Sequence, residues 1–267
     1  MLERWRAAGL LGPALLTLVM LPVLLVLGTW QLQRLGWKQD LIAKLEARVA
    51  AEPVSYTSVL AEFHKSSPDL NTGDVEYMRV RVTGTFDHAE ERHVYAPRSS
   101  SQGWNVFTLL KPEGGQPPVY VNRGWVPDKF KDPATRAEGQ ITGPVTITGL
   151  VRLDDPKTMF AAPNDPKGNR WYQRDTWAMR WGEKGPPSPE ELSLMRLQGY
   201  APFSIDAEAE PANPGEWPKG GTTEVHLPNS HLQYVVTWYG LALTLIVIFV
   251  VYARQRLAEY DQKRLQP

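Results

Sequence analysis

Two long apolar runs without a charged residue constrain this chain more than any other feature. They cover residues 7–30 and 232–253, and each has more than twenty residues. A helix of about 20 apolar residues is long enough to cross the roughly 30 Å of hydrocarbon in a bilayer. We therefore predict two transmembrane helices, at residues 7–30 and 231–253, on either side of a long segment of ordinary polar composition.

The first apolar run is predicted to remain in the protein as an uncleaved anchor. It is longer than the core of a usual signal peptide, which has about 7–15 residues. No cleavage site of the small-x-small type follows it before Trp30. The run also starts too near the first residue to leave room for a mitochondrial transit peptide, which favours a bacterial protein.

Basic residues beside the two runs predict the orientation in the membrane. Short flanks rich in Lys and Arg face the cytoplasm, and the flanks here carry Arg4, Arg6, Arg254, Arg256, Lys263 and Arg264. Both termini, including the tail 254–267, are therefore expected in the cytoplasm of a bacterial cell. The middle domain, residues 53–230, is then expected on the periplasmic side of the inner membrane.

Composition excludes several classes of site. The formal net charge is 0 and the chain has no cysteine. A chain without a basic field lacks the electrostatic footprint of a nucleic-acid-binding protein, so no nucleic-acid partner is expected. Without thiolates, disulfides, iron–sulfur clusters and cysteine nucleophiles are excluded.

The sequence gives no support for a catalytic function. No phosphate loop, dinucleotide fingerprint, Gly-x-Ser-x-Gly or His-Glu-x-x-His pattern occurs. Adjacent carboxylates such as Asp154 and Asp155 lie in a Pro-rich stretch, where turn formation explains them. We therefore expect that the protein is not an enzyme.

The segment after the first run, residues 31–52, is predicted to be an amphipathic helix beside the membrane. Leu35, Ile42 and Val49 recur every seven residues, which is the spacing of one helix face. Packing of that face on the domain or on the bilayer is sufficient to explain it.

From residue 78 the apolar residues alternate with polar ones, which is typical of β-strands. We place the strands at residues 78–86, 92–97, 103–110, 119–126, 145–153 and 201–207. Turns are predicted at 87–91 and 113–115, and short helices from an Asp175 cap to residue 181 and at 189–195. The predicted fold class is a membrane protein with two transmembrane helices flanking a mainly antiparallel β (α+β) domain, a small barrel or a sandwich.

His231 stands at the head of the second apolar run. Ser230 and Gln233 form a capping-box pattern that predicts a helix start and puts His231 in the first turn. A helix N-terminus disfavours a cationic imidazole, and neutral imidazole is a usual ligand for haem iron and for many metals. Tyr234 and Trp238 share the helix face of His231 and add flat apolar rings. The alternative is an interfacial histidine that hydrogen-bonds a loop.

Arg123, in the segment 121–126, is the second candidate for a ligand-binding residue. Its forked guanidinium could bind a carboxylate such as a propionate. It could equally pair with an acidic residue inside the domain, while Gly124 allows a tight strand end. The sequence leaves both interpretations open.

The other histidines are weaker candidates for metal ligands. His226 and His231 are five residues apart across Pro228, which is not a helical ligand spacing, so a metal pair is not favoured. The remaining histidines are predicted to be surface or turn residues: His64, His88 and His93.

Four motifs follow one another from the first apolar run to the second. They are Gly28-x-Trp30-Gln31-x-x-Arg34-x-x-Trp37-Lys38, Val121-Asn122-Arg123-Gly124-Trp125-Val126, Phe160-x-x-Pro163-x-Asp165 with Trp171-Tyr172-x-x-Asp175, and Pro228-Asn229-x-His231-Leu232-x-Tyr234-x-x-Thr237-Trp238. In this order they resemble the Surfeit locus protein 1 family of assembly factors for haem-copper cytochrome oxidases. Two positions depart from the family pattern: Ser230, where relatives often have Asn, and Tyr239, where Phe is frequent.

The resemblance implies a function for these residues. Bacterial members of the family are associated with binding haem a and helping to deliver it to oxidase subunit I. By the motif match His231 is the expected ligand of the haem iron, with Tyr234 and Trp238 flanking the ring and Arg123 as a candidate propionate contact. Haem a is then the expected, transiently bound cofactor, and no other metal is expected. Expected partners are subunit I, the lipid bilayer and, as a further candidate, haem a synthase.

Two rival functions stay open at this point. One is a scaffold that binds oxidase subunits without carrying haem. The other is a membrane-anchored enzyme of the cell envelope, which would need a cluster of polar catalytic groups in the folded domain.

Overall fold

The computed structural model describes residues 2–66, 75–98, 101–156, 162–182, 201, 203–223 and 229–265. The chain divides into two compact units. A helical unit contains residues 1–44 and 226–267, and a barrel unit contains residues 45–225.

The described helices are α1 (Leu2–Ala7), α2 (Leu11–Ala50), α3 (Tyr56–Ser66), α4 (Thr176–Trp181) and α5 (His231–Leu265). The described strands are β1 (Val54–Ser55), β2 (Arg79–Tyr95), β3 (Gly103–Pro112), β4 (Val119–Pro127), β5 (Pro144–Arg152) and β6 (Ser204–Ala207). Short 3-10 helices lie at Glu113–Gly115, Asp128–Phe130, Pro133–Gly139 and Pro214–Glu216. The predicted helix at 189–195 falls outside the described residues.

The helical unit holds both apolar runs in helices that are long and apolar enough to cross a membrane, α2 and α5. The first run begins differently from the prediction. Gly9 has a φ of 72° and separates α1 from α2, so the long helix starts at Leu11 and not at Ala7. The segment after the run continues the same helix as far as Ala50.

α1 packs against the C-terminal part of α5. Ala8, Leu10 and Ala253 are buried together there, and the charged side chains of Arg4 and Asp261 pair beside them. The bend at Gly9 therefore gives the first residues of the chain a packed position within the helical unit.

Five strands of the barrel unit close on themselves. The order is β2-β3-β4-β6-β5, and β5 pairs again with β2, while β1 adds a short parallel pairing to β2. Most pairings are antiparallel, and β4 with β6 is parallel. The predicted fold class is confirmed, and the domain is a barrel and not a sandwich.

The course of β2 differs from the predicted turn and returning strand. The turn expected at 87–91, with a returning strand at 92–97, is wrong because β2 runs on in one direction to Tyr95. Asp87 lies opposite Leu109, but Arg92 already lies opposite Phe107. The extra residues form a bulge, which bends a strand without reversing it.

Glu91 and His93, at the end of this bulge, are buried with Arg136 of the 3-10 helix Pro133–Gly139. Glu91, His93 and Arg136 are each about one-twentieth exposed, and Glu91 bonds both partners, with 2.8 Å to Nε2 of His93. Burial alone would raise the pKa of Glu91, but these hydrogen bonds outweigh it and lower the pKa to about 2. The surface position predicted for His93 is therefore wrong.

The barrel core lies between the sheet and α3. Tyr56, Val59, Leu60 and Phe63 of α3 are buried against residues of the strands such as Val80. The predicted helix from Asp175 is confirmed, since the Asp175 carboxylate caps α4 by accepting from the amide of Ala178 (2.8 Å).

Candidate functional site

His231 is the first residue of α5, as the sequence predicted. The carbonyl of Ser230 accepts from the amides of Gln233 (3.1 Å) and Tyr234 (3.4 Å), which closes the first turn. The main chain of Ser230 thus supplies the bonds at the helix start.

The imidazole of His231 is held by one side chain of α2. Its Nδ1 lies 2.8 Å from Oε1 of Gln31, and the imidazole is partly exposed. Nε2 of His231 makes no hydrogen bond to any residue that the structure describes. One ring nitrogen is therefore positioned by the protein, and the other has no partner among the described residues.

The rings predicted beside His231 have different surroundings. Tyr234 is half exposed, whereas Trp238 is partly buried. Nε1 of Trp238 is buried and has no hydrogen-bond partner among the described residues. Val235, one turn after His231, is buried. The predicted common face thus has an outer part at Tyr234 and an inner part at Val235 and Trp238.

α2 and α5 approach closely at Gly28 and Tyr239, about two turns along α5 from His231. A Cβ added to Gly28 would lie 3.1 Å from the ring of Tyr239, and the Tyr239 hydroxyl is 3.0 Å from Oγ1 of Thr29. A phenylalanine at position 239 would lack this bond. The hydroxyl of Tyr239 therefore adds a polar contact between the two helices.

Arg123 belongs to the barrel unit and is only 1% exposed. It donates to the carbonyl of Gly139 and to Oδ1 of Asn213 (3.0 Å), and its Cζ lies 4.8 Å from the ring centre of Phe86. Burial lowers the pKa of Arg123 to about 10, so it stays charged at neutral pH. The adjoining cavity of about 20 Å³ has room for about one water. The partners of Arg123 are thus a carbonyl and an amide oxygen and not the acidic residue of the structural alternative, and its Nε and Nη1 have no partner among the described residues. Its enclosure does not suit a contact with a haem propionate.

The neighbours of Arg123 close the strand against another loop. Gly124 has a φ of 129°, and a Cβ there would overlap the carbonyl of Lys219. Trp125 exchanges two backbone hydrogen bonds with Lys219, of 2.9 and 3.0 Å, and its Nε1 donates to the carbonyl of Ala96 (2.8 Å). The motif 121–126 is therefore a structural element of the barrel.

The other histidines give no metal site in the described part of the chain. No group of three or more His, Cys, Asp or Glu side chains there could hold a metal ion. His226 lies outside the described residues, as does the side chain of His64. His88 is partly buried, with Nε2 2.8 Å from the carbonyl of Ile141.

Sequence reasoning missed Gln31 as a site residue. Its signal was present, because a polar amide ends an otherwise apolar run and stands in the first motif, next to Trp30. The partner could not be identified, since the two side chains are 200 positions apart.

These features define a class of protein: a β-barrel domain between two helices long enough to span a membrane, with a histidine at the head of the second helix. Residues 18–243 match the SURF1 family. The chain belongs to this family, whose members are known as cytochrome oxidase assembly factors.

Relatives from distant organisms are similar over most of the chain. Surfeit locus protein 1 of Homo sapiens is 38% identical over 233 residues, covering 81% of this chain and 69% of the relative. The protein of the same name from Takifugu rubripes is 35% identical over 231 residues, covering 80% and 86%. A SURF1-like protein of Monosiga brevicollis is 33% identical over 241 residues, covering 86% and 83%.

Proposed function

We propose that this chain is a membrane-bound assembly factor that binds haem a and aids its insertion into subunit I of a haem-copper terminal oxidase. It acts in the inner membrane of a bacterial cell, with both termini in the cytoplasm and the barrel unit in the periplasm. Haem a is cargo here, so the protein has to hold it, shelter it and release it. This role needs no catalytic group.

The observation that carries the proposal is the imidazole of His231. Nδ1 is engaged by Gln31 while Nε2 has no described partner. A neutral imidazole with one free nitrogen is the ordinary protein ligand of haem iron, so this donor suits the cargo. The position at the head of an apolar helix also suits a porphyrin with a polar edge and a hydrophobic tail.

The residues around His231 have distinct parts in this proposal. Tyr234 is half exposed and offers its ring to the porphyrin face. Trp238 carries a buried Nε1 without a described partner, which a bound group could satisfy. Arg123 has no part, because it is enclosed in the barrel. The partners are then subunit I, which receives the haem, and haem a synthase as the source.

Purified protein tests the proposal directly. The full chain is produced in cells that make haem a, extracted in mild detergent, and measured by its absorption spectrum and by the type of extracted haem. Wild type is expected to carry haem a, and His231→Ala to lose most of it because the iron ligand is gone.

His88→Ala is the matched control, since it removes a partly buried histidine of the barrel that bonds a carbonyl. It is expected to keep its haem. If His231→Ala retained full haem with an unchanged spectrum, the ligand assignment would be wrong.

A haem-free scaffold for oxidase subunits is the second candidate. Tyr172 and Trp181 are 40% and 38% exposed, and Trp181 stacks on Trp177 at 4.3 Å between ring centres. Exposed aromatic rings are typical anchors of protein interfaces. In this case haem-free protein would still co-purify with subunit I, and Trp181→Ala would weaken that association while His231→Ala would not.

A further inference from the structure

Gln31 and His231 share one hydrogen bond whose direction fixes the state of the imidazole. Oε1 of Gln31 is 2.8 Å from Nδ1 of His231. A carboxamide oxygen can only accept, so the proton has to be on Nδ1. A neutral imidazole has a single N–H, and the lone pair is then on Nε2.

We propose that Gln31 is a positioning residue, which holds His231 in the Nδ1–H tautomer with Nε2 directed to the haem iron. This inference rests on the function proposed above. Histidine ligands of metals almost always donate their other ring N–H to a fixed acceptor, and that bond sets both ring orientation and ligand strength. Gln31 supplies such an acceptor here from the opposite helix of the unit.

The choice of an amide is informative for a protein that has to release its cargo. A carboxylate acceptor would draw the Nδ1 proton more strongly and make the imidazole a stronger donor to iron. An amide oxygen is neutral, so it fixes the tautomer with a weaker pull. Gln31 therefore combines a defined ligand geometry with moderate ligand strength.

A purely structural role of Gln31 can be distinguished from a role in positioning His231, because α2 and α5 share a second polar contact nearby. The hydroxyl of Tyr239 and Oγ1 of Thr29 are 3.0 Å apart. Tyr239→Phe removes this contact and leaves Gln31 and His231 intact. If the Gln31 bond only fastened the helices, Gln31→Leu and Tyr239→Phe would have similar consequences.

The first test needs no haem. Protein labelled with ¹⁵N at histidine is studied by NMR in detergent, where the ring nitrogen shifts distinguish the two tautomers; the spectrum of His231→Asn assigns the signal. Wild type and Tyr239→Phe are expected in the Nδ1–H form, and Gln31→Leu is expected to shift toward Nε2–H. A wild type in the Nε2–H form, or an unchanged Gln31→Leu, would overturn the inference.

The second test uses full-length protein titrated with haem a. Gln31→Leu is expected to bind about 10–100-fold more weakly and to raise the midpoint potential of the bound haem. Gln31→Glu keeps size and acceptor, so it is expected to restore binding and to lower the potential. Tyr239→Phe is expected to match wild type in both quantities.

The outcomes separate the two proposals. Wild type that binds no haem would overturn the proposed function together with this role of Gln31. Wild type that binds haem, with Gln31→Leu equal in affinity and potential, would overturn the role of Gln31 alone. A folding defect in Gln31→Leu is recognised by gel filtration and far-ultraviolet ellipticity. In that case the midpoint potential of the haem bound to Gln31→Glu is the test. A lowered potential supports the role of Gln31, and an unchanged or raised potential overturns it.

Discussion

Two groups of polar side chains, the buried carboxylates of the barrel unit and His231 of the helical unit, differ in how far their bonding capacity is used. In the barrel, Glu91 bonds Arg136 and His93, and Asp206 accepts two bonds of 3.0 Å from Arg174. In the helical unit, His231 bonds Gln31 through one nitrogen and has a second nitrogen without a described partner. These carboxylates of the barrel are paired with basic side chains, whereas Nε2 of His231 has no described partner. The most distinctive sequence motif, 121–126, is thus structural, and the better ligand candidate is a single histidine.

The largest effect is expected where the barrel pairs a buried charge. Glu91→Leu leaves Arg136 buried without its carboxylate, and breaking such a pair costs about 3–5 kcal/mol. Denaturant unfolding of the full chain in detergent, followed by near-ultraviolet circular dichroism, measures the loss. The double variant Glu91→Leu with Arg136→Met is expected to recover most of it. Equal losses in both variants would show that packing, and not charge pairing, stabilises this part of the barrel.

Gly124→Ala is expected to have the next largest effect. Its φ of 129° disfavours a side chain, and a Cβ would overlap the backbone of Lys219. The expected loss in unfolding free energy is about 3 kcal/mol. Gly114→Ala is the matched control, because Gly114 also has a positive φ but nothing within 4 Å of an added Cβ. A loss of about 1–2 kcal/mol is expected there, and equal values would remove the steric part of the explanation.

Asp154 gives the barrel a pH dependence of the opposite sign to that of Glu91. Burial raises the pKa of Asp154 to about 7 from 3.8, although Thr176 donates to it. Between about pH 4 and 7 the folded state keeps a proton that the unfolded state releases, so stability falls as pH rises, by at most about 1.4 kcal/mol per pH unit. For Glu91, with a lowered pKa, stability is present above about pH 4.5 and is lost as pH falls toward about 2.

Asp154→Asn tests this dependence, because the single amide oxygen can still accept from Thr176 and the side chain does not titrate. Thermal unfolding at several pH values between about 4 and 7 is expected to show a flatter profile than wild type. Asp155→Asn, at the exposed neighbouring carboxylate, is expected to keep the wild-type slope. A slope unchanged in Asp154→Asn would assign the dependence to another group.

The smallest effect is expected in the helical unit. Tyr239→Phe removes the bond to Thr29, and polar contacts between membrane helices are worth about 0.6 kcal/mol on average. Unfolding in mixed micelles, followed by far-ultraviolet ellipticity, provides the measurement. A loss above about 2 kcal/mol would exceed the largest such contacts. The expectation that this polar contact of the helical unit stabilises the fold less than the buried pair of the barrel unit would then be wrong.

Much of the fold could be predicted because its signals are local. The apolar runs became α2 and α5, and the strands predicted at 103–110, 119–126 and 145–153 agree with β3, β4 and β5 to within two residues. The buried face of α3 was also visible as Tyr56, Val59, Leu60 and Phe63, a helical spacing that was overlooked.

The turn predicted at 87–91 and the omission of Gln31 share a physical cause. Polar residues at 87–91 suggested a turn, but Glu91 is buried because Arg136, 45 positions later, neutralises it. Gln31 likewise becomes a site residue only through its hydrogen bond to His231, which is 200 positions away. A polar residue looks the same in a sequence whether water or a distant side chain satisfies it, so the sites that depend on such pairs were the least predictable.

The closure of the barrel by β6 has a consequence for biogenesis. Before β6 is made, β5, β2, β3 and β4 can form only an open sheet, in which β4 and β5 are both edge strands. β6 ends about 55 residues after β5, which takes about 3–11 s at about 5–20 residues per second of synthesis. Unpaired edges invite pairing with other chains. The nascent protein is therefore most vulnerable to misassembly, and most accessible to a chaperone, during the seconds between these two strands.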